Sequence, residues 1–220
     1  MATGRNNETG IIKSLVWVCI LLVSPYASWG QADAVPYPTD KIFQLLPQPI
    51  EAKALLQARG FTINRQTILI TSPQFMGEAR YLKNLLEAST HINPLVDSAS
   101  LTVEVMKQPM VSSKTNAILL AHKPSSSPES YELLVNADQL TIQSSSQAGV
   151  MRGIQTVRQL LPNSFHASEK SYEWNIPALK IQDGPAFGHR GLLLDCSRHF
   201  FTKEVVKKYI DLFALYKMNT

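Results

Sequence analysis

The 220 residues of this chain are 45% hydrophobic, which is enough for a sizeable core and accommodates one or two domains. The net charge of +4 at pH 7 is small, and the lysines and arginines are scattered along the chain. No basic run is interleaved with aromatic residues, so composition and patterning argue against nucleic acid as a partner.

The first 30 residues are typical of a secretory signal peptide. Arg5 and Lys13 supply a positive amino-terminal region, residues 14–23 form an apolar core, and Ser-Trp-Gly at 28–30 offers a small-x-small cleavage site. The alternative is a membrane anchor, but an apolar run of about ten residues falls short of the roughly 20 that span a bilayer. We predict cleavage near Gly30, no stable membrane span afterwards, and export to the periplasm, cell surface or medium.

Cysteine and histidine spacing indicates neither a disulfide framework nor a metal site. One of the two cysteines, Cys19, lies in the predicted signal, so Cys196 has no partner in the mature chain. Because Cys196 ends an apolar run, we expect it to pack as a small hydrophobe rather than act as a nucleophile. The five histidines lack metal-ligand spacing, and we expect no metal and no cofactor.

The middle of the chain has the pattern of an α+β domain. Residues 31–44 form a proline-rich, extended lead-in, and the domain follows at 45–180. A helix with one buried face is predicted over 74–88. Strands are predicted at four short runs, namely 62–64, 67–70, 101–106 and 117–121.

The clearest local feature is a β-hairpin followed by a helix. Two β-rich runs, 131–135 and 140–143, flank the polar turn Asn-Ala-Asp-Gln at 136–139. The next segment, 147–161, has apolar residues on one helical face and ends before Pro162. We therefore predict an antiparallel sheet with helices on one face, and a junction to a second domain near 177–185.

A strand followed by a helix is predicted at the end of the chain. The apolar run 192–194 opens with Arg190-Gly191 and closes on Asp195, which is typical of a short buried strand. Thr202 then stands at a helix N-cap position, and apolar residues recur at helical spacing over 206–213. Together these segments predict the first βα unit of a parallel α/β architecture.

This last part of the chain resembles a known family. The opening of the catalytic barrel in family 20 glycoside hydrolases, the β-N-acetylhexosaminidases, is similar to residues 190–195, 197–201, 209–212 and 215–220. The hairpin and helix at 131–162 are similar to the end of the small α+β domain that precedes this barrel in bacterial hexosaminidases. The resemblance implies that residues 186–220 begin a (β/α)8 TIM barrel, of which this chain carries only the first unit.

The resemblance also implies a reaction. Members of the family remove a terminal N-acetylhexosamine with retention: the 2-acetamido oxygen of the sugar attacks the anomeric carbon while an enzyme Glu protonates the leaving oxygen. A neighbouring Asp orients the acetamido group. This adjacent Asp-Glu pair does not occur at 186–220, so we expect no catalytic residue in this chain and an inactive fragment. The implied substrates are N-acetylglucosaminides or N-acetylgalactosaminides.

Four residues of the barrel portion are candidates for the site. The resemblance assigns Arg190 to the substrate arginine that hydrogen-bonds the outer hydroxyls of the terminal sugar, and the alternative is a structural arginine paired with a carboxylate of the barrel. Position alone favours Asp195, because barrel sites form at the carboxyl ends of strands. We expect Asp195, Arg198 and His199 to orient neighbouring groups or to form a network that holds the first βα loop.

Two hypotheses of function follow. In the first, the chain is the amino-terminal part of an exported β-N-acetylhexosaminidase. In the second, it is a truncated, non-catalytic product whose α+β domain packs or binds without turnover. In either case we expect the stretch after Pro185 to fold poorly alone, since leucines 192–194 lack neighbouring strands to cover them. The sequence carries no signal of an oligomeric state.

Overall fold

The computed structural model describes residues 44–89, 103–105, 115–162 and 173–220. The predicted signal peptide and the lead-in up to residue 43 lie outside these ranges. The helices are α1 (Met76–Ser89), α2 (Gln147–Leu160) and α3 (Lys203–Leu215), and a short 3-10 helix spans Pro73–Phe75. The strands are β1 (Glu51–Ala54), β2 (Phe61–Ile63), β3 (Ile68–Thr71), β4 (Val103–Val105), β5 (Ala117–His122), β6 (Tyr131–Val135), β7 (Gln139–Ser144), β8 (Trp174–Ile176) and β9 (Leu179–Asp183).

Seven of these strands form one mixed sheet in the order β1-β9-β6-β7-β5-β3-β4. The first four are antiparallel neighbours, whereas β7, β5, β3 and β4 run parallel. The prediction of an antiparallel sheet is therefore wrong for the four strands β7, β5, β3 and β4. Parallel neighbours require a crossover connection, and α1 is the crossover between β3 and β4. Strands β2 and β8 pair separately as an antiparallel ribbon.

The predicted hairpin is confirmed as β6 and β7, and local hydrogen bonds explain its turn. The side-chain oxygen of Asn136 accepts hydrogen bonds from the backbone N–H groups of Asp138 and Gln139, both at 2.9 Å. An Asn side chain that bonds its own backbone two residues ahead favours a tight turn. Helix α2 then begins after Ser146, whose hydroxyl accepts a hydrogen bond from the backbone N–H of Gly149 as an N-cap.

The core lies between one face of the sheet and the two helices α1 and α2. Alternate strand residues such as Leu133 and Ile142 are fully buried there, together with Leu82 of α1 and Ile154 of α2. Burial of such a large side chain stabilises the fold by about 1.5–3 kcal/mol. The prediction that both helices cover the same face of the sheet is confirmed.

The segment between β9 and α3 departs from prediction. Residues 184–202 contain no strand, and Leu193 is 89% exposed. The predicted buried strand at 192–194 is therefore wrong here, because no described strand lies beside it to satisfy its backbone and cover its faces. The expectation that these leucines lack cover is confirmed for Leu192 and Leu193, which are exposed, but not for Leu194, which is half-buried. Cys196 is also exposed, so its predicted packing in that strand is wrong.

Helix α3 has no fully buried residue and packs beside α2. The guanidinium of Arg158 on α2 donates two hydrogen bonds of 2.7 Å to the carboxylate of Asp211 on α3. Thr202 precedes the helix as predicted, but its side chain makes no capping hydrogen bond.

Among the described residues, no helix is long and apolar enough to cross a membrane.

Candidate functional site

A partly buried group of polar residues lies where the α+β domain meets the segment 187–220. It combines side chains from the loop before β6, from β6, α2 and β9, and from both ends of that segment. We call this group the junction cluster; its members are Glu129, Tyr131, Arg152, Asp183, Arg190, Lys217 and Asn219.

Glu129 is the carboxylate on which the first half of the cluster converges. It accepts hydrogen bonds from Arg152 Nε at 2.9 Å, from Asn219 Nδ2 at 3.2 Å and from Arg190 Nη2. Burial acts to raise the pKa of Glu129, but the hydrogen bonds from Arg152, Asn219 and Arg190 together hold this pKa below its ordinary value. Glu129 is therefore an ionised acceptor at neutral pH.

Arg190, the predicted substrate arginine, is engaged with the protein itself. Its side chain is 15% exposed, and its Nη2 pairs with Glu129. Nε donates to the carbonyl of Lys217 at 2.9 Å, and Nη1 donates to the carbonyl of Phe187 at 2.6 Å. Arg190 is thus paired with a carboxylate, as in the structural alternative, but this carboxylate is Glu129 of the α+β domain and not a carboxylate of the barrel portion.

Lys217 is the cation of the second half of the cluster. Its Nζ donates to Asp183 Oδ2 at 2.8 Å and to the hydroxyl of Tyr131 at 2.9 Å. The ammonium also lies 5.1 Å from the centre of the Tyr131 ring. Burial lowers the pKa of Lys217, and the carboxylate of Asp183 opposes that shift.

The backbone of Lys217 is unusual, because its φ of 60° lies in the left-handed region. The N–H of Met218 bonds to the carbonyl of Phe213, and the N–H of Lys217 bonds to that of Ala214, which together form a Schellman motif. Glycine is the usual residue at this position, and any other L-residue costs about 1–2 kcal/mol. The side-chain contacts of Lys217 offset that cost.

Tyr131 and Asp183 complete the buried end of the cluster. The Tyr131 hydroxyl donates to Asp183 Oδ2 at 3.0 Å and lies 2.6 Å from the hydroxyl of Thr156. Burial, and then the negative charge of Asp183, raise the pKa of Tyr131 well above its ordinary value, so the phenol stays protonated. Asp183 Oδ1 accepts the backbone N–H of Gly184 at 2.8 Å.

A cavity of about 250 Å³ opens beside the cluster. Its walls include Pro185 and Phe187 as well as Glu129, Arg190 and Lys217. Each charged group of the cluster has a partner of opposite sign, so the arrangement is suited to holding chain segments together.

In the described part of the chain, no group of three or more His, Cys, Asp or Glu side chains could hold a metal ion.

The other predicted site residues lie on the exposed loop before α3. Asp195 Oδ1 accepts hydrogen bonds from the N–H groups of Ser197 and Arg198 at 2.9 and 3.0 Å, and Oδ2 pairs with Arg198 Nε. The hydrogen bond from the Arg198 side chain is the main cause of the lowered pKa of Asp195. The ring of His199 packs edge-on against Phe201 at 5.1 Å. Thus Asp195 and Arg198 come together, as expected for a local network, while Arg190 belongs to the junction cluster.

Sequence reasoning missed Glu129, Asp183 and Lys217. Glu129 lies in a Ser/Pro-rich loop that is typical of exposed surface, and Asp183 ends a strand close to the predicted junction. Lys217 follows the last turn of α3, where a Gly would ordinarily be sought as the helix stop.

Comparison with known proteins decides the family. The model for glycosyl hydrolase family 20, domain 2, matches residues 43–184, and the model for the glycosyl hydrolase family 20 catalytic domain matches residues 187–220. The chain belongs to glycosyl hydrolase family 20. The junction cluster therefore connects the two family 20 regions of the chain.

Relatives in this family are hexosaminidases. The β-hexosaminidase of Porphyromonas gingivalis is 31% identical over 207 residues, which are 92% of this chain and 25% of that protein. The β-N-acetylhexosaminidase of Cellulomonas fimi is 37% identical over 91 residues, or 41% of this chain and 17% of that protein. This family 20 chain thus spans a quarter or less of the length of these two relatives.

Solved structures show the same fold. The N-acetyl-β-hexosaminidase of Streptomyces plicatus, in complex with Thio-NAglucal, superposes with a TM-score of 0.67 at 29% identity, covering 84% of this chain and 34% of that one. The family 20 β-N-acetylhexosaminidase of Streptomyces coelicolor A3(2) has a TM-score of 0.65 at 30% identity, covering the same 84% and 34%.

Proposed function

We propose that this chain is the amino-terminal part of an exported β-N-acetylhexosaminidase, which removes terminal N-acetylhexosamine from oligosaccharides by a retaining, substrate-assisted mechanism. The observation that carries the proposal is the consecutive match of the chain to domain 2 and then to the catalytic domain of family 20. The hexosaminidase relatives support the same reaction class. Export rests on the signal-like residues 1–30.

The proposed reaction needs an acid Glu and an adjacent Asp, and we place both beyond Thr220. The carboxylates of the segment 187–220 support this placement. Asp195 pairs with Arg198 and Asp211 pairs with Arg158, while Glu204 lies in the first turn of α3 beside the positive end of the helix. The 220-residue chain alone is therefore expected to be inactive.

We further propose that residues 186–220 begin a TIM barrel when the rest of the catalytic domain is present. Support comes from the two ends of the segment, because the N–H groups of Asn219 and Thr220 donate to the carbonyl of Arg190 at 2.8 and 3.2 Å. Arg190, at the start of the predicted first strand, thus lies beside Asn219 and Thr220, after which the next strand of the barrel would follow. A helix between two neighbouring parallel strands is the repeating unit of such a barrel.

For the arginine that contacts the sugar, the geometry favours Arg198 over Arg190. The donors of Arg190 are directed to Glu129 and to two carbonyls, and Arg190 lies at the opening of the predicted strand. Arg198 follows that strand, and its side chain is 88% exposed. Barrel sites form at the carboxyl ends of strands, so Arg198 is the better placed donor, with Asp195 holding it in position. His199 stays a candidate for supporting this loop.

The second candidate function is a non-catalytic product whose α+β domain packs or binds. It is favoured by one contrast: the α+β sheet has a well-buried core, whereas residues 184–202 contain no strand. The described part of the α+β domain thus has a buried core of its own, and residues 184–202 contribute no strand to it.

One enzymatic assay separates the two candidates. The chain 31–220 and the product of the complete reading frame are each incubated with an aryl N-acetyl-β-glucosaminide and, as a control, with the aryl β-glucoside that lacks the acetamido group. We expect release of the chromophore only by the complete product, and only from the acetamido sugar, because the acetamido oxygen is the nucleophile. Turnover by residues 31–220, or equal cleavage of both sugars, would overturn the proposal.

A further inference from the structure

The segment 187–220 is attached to the α+β domain mainly by polar contacts. Helix α3 has no fully buried residue, and Leu192 and Leu193 are exposed. By contrast, the side chains of Lys217 and Arg190 are 7% and 15% exposed and are bound to acidic residues of the α+β domain. The segment 187–220 is therefore held to the α+β domain more by charge pairing than by apolar packing.

The two acidic residues are held in place by the α+β domain itself. Glu129 is fixed by Arg152 of α2, at 2.9 Å. Asp183 is fixed by the hydroxyl of Tyr131 and by the N–H of Gly184. Because these partners belong to residues before 187, the two carboxylates are in position to receive cations from the segment that follows.

The segment presents its polar groups from both of its ends. Arg190 near its start and Asn219 at its finish meet on the single carboxylate of Glu129, and Lys217 reaches Asp183. Gly191 allows the two ends to approach, since a Cβ built there would lie 2.7 Å from the backbone oxygen of Thr220. Glu129 thus bridges residues that are separated by the whole of α3.

We propose that Glu129 and Asp183 form a docking site on the α+β domain which recognises Arg190, Lys217 and Asn219 and so fixes the two ends of the first catalytic-domain segment side by side. The α+β domain then acts as a positioning template for that segment. Glu129 is a positioning residue that acts through Arg190 and Asn219. This role involves no substrate, and its test is independent of hexosaminidase activity.

The test is hydrogen exchange on the 220-residue chain, with Glu129→Gln compared with Glu132→Gln. Glu132 lies on β6 and pairs with Lys123 on the sheet surface, so it is a matched control of the same residue type. In Glu129→Gln we expect the amides of 203–219 to exchange at least about tenfold faster, which corresponds to about 1.4 kcal/mol of local stability. The amides of β6 and β7 should exchange at the wild-type rate, and Glu132→Gln should match wild type throughout.

Two results would overturn the proposal. One is unchanged exchange of 203–219 in Glu129→Gln, because the carboxylate would then not hold the segment. The other is equal acceleration in the segment and in β6 and β7, because the residue would then support the whole fold without positioning the segment.

A second pair of variants tests the same docking without changing any charge. Gly191→Ala places a Cβ against the backbone of Thr220, whereas a Cβ at Gly188 meets nothing within 4 Å. We expect Gly191→Ala to accelerate exchange of the Asn219 amide, which donates to the carbonyl of Arg190, and Gly188→Ala to leave it unchanged. Identical exchange in the two variants would contradict the side-by-side placement of the two ends.

Discussion

At the scale of single residues, Arg190 and Arg198 lie eight positions apart in the sequence but in opposite structural environments. Arg190 is enclosed by Glu129 and two carbonyls, while Arg198 extends from the loop before α3 with Asp195 as its partner. A guanidinium that is already bound to protein acceptors cannot offer the same donors to sugar hydroxyls. The two arginines therefore differ in what their removal should change.

We predict that Arg198→Ala, in the product of the complete reading frame, lowers kcat/KM for the aryl N-acetylglucosaminide about 10- to 100-fold, because charged hydrogen bonds to the sugar are lost. Its urea unfolding should match that of Arg59→Ala, an exposed-arginine control. Arg190→Ala should instead lower the free energy of unfolding by about 2 kcal/mol. Wild-type kcat/KM in Arg198→Ala would contradict the assignment of Arg198 to the sugar.

At Lys217, the side chain stabilises the fold while the left-handed backbone conformation destabilises it. Lys217→Gly removes a left-handed strain of about 1–2 kcal/mol but leaves the Asp183 carboxylate buried without its cation, which costs about 3–5 kcal/mol. We therefore expect a net loss of about 2 kcal/mol in the free energy of urea unfolding. Adding Asp183→Asn should recover part of it, since the unpaired charge is gone. A Lys217→Gly variant as stable as wild type would refute the importance of this pair.

The lowered pKa of Glu129 gives a pH dependence with a defined sign. A carboxyl whose folded pKa is depressed contributes stability above its unfolded pKa, here near the ordinary 4.5, and loses it as the pH falls through the folded value. The charged groups that face it are Arg152 of α2 and Arg190 of the segment.

We therefore expect wild type and Glu129→Gln to differ in unfolding free energy by a constant amount above about pH 5.5, and this difference to shrink towards pH 3. Asp195 and Asp211, whose pKa values are also lowered, cancel because both proteins contain them. A difference that persists unchanged at pH 3 would show that the charge of Glu129 is not responsible.

Sequence separation explains which site contacts could be predicted. The Asp195 and Arg198 pair is three residues apart, so a local network could be expected from the sequence. Glu129 and Arg190 are 61 residues apart, and Tyr131 and Lys217 are 86 apart. Such pairs depend on the register of β6 and β9 and on the end of α3, which no local pattern specifies.

At the scale of elements, the hairpin and α2 were predictable because their signals are local. Asn136 organises the turn through its own side chain, and Ser146 caps the helix. The parallel pairing of β5 with β7 and β3 is not local, because it depends on crossover connections. The strand pattern at 192–194 is a different case, since apolar character alone cannot form a strand without neighbours.

The N-terminal turn of α2 depends on close approach to the sheet at Gly149. A Cβ there would lie 2.0 Å from Ser144 Oγ and 2.5 Å from the carbonyl oxygen of Ser130. We expect Gly149→Ala to lower the free energy of unfolding by about 1–3 kcal/mol. Gly77→Ala in α1 is the control, because nothing lies within 4 Å of its Cβ, and it should stabilise by about 0.5–1 kcal/mol. Equal urea midpoints for the two variants would contradict this packing.

At the scale of the whole molecule, the described chain combines a well-buried α+β domain with the beginning of a second region. The core is made by the sheet, the β2 and β8 ribbon and the helices α1 and α2, whereas α3 adds no fully buried residue. The chain matches about a third or less of the length of its hexosaminidase relatives. The exposed leucines 192 and 193 are where we expect the remainder of a barrel to pack.

The central claim is that this chain is the amino-terminal part of a hexosaminidase, and its most direct test is to read the coding sequence past Thr220. We predict an open frame that continues through about seven further βα units and carries an adjacent Asp-Glu pair. A stop codon directly after Thr220 would contradict the claim, and would leave the non-catalytic α+β product as the function of this chain.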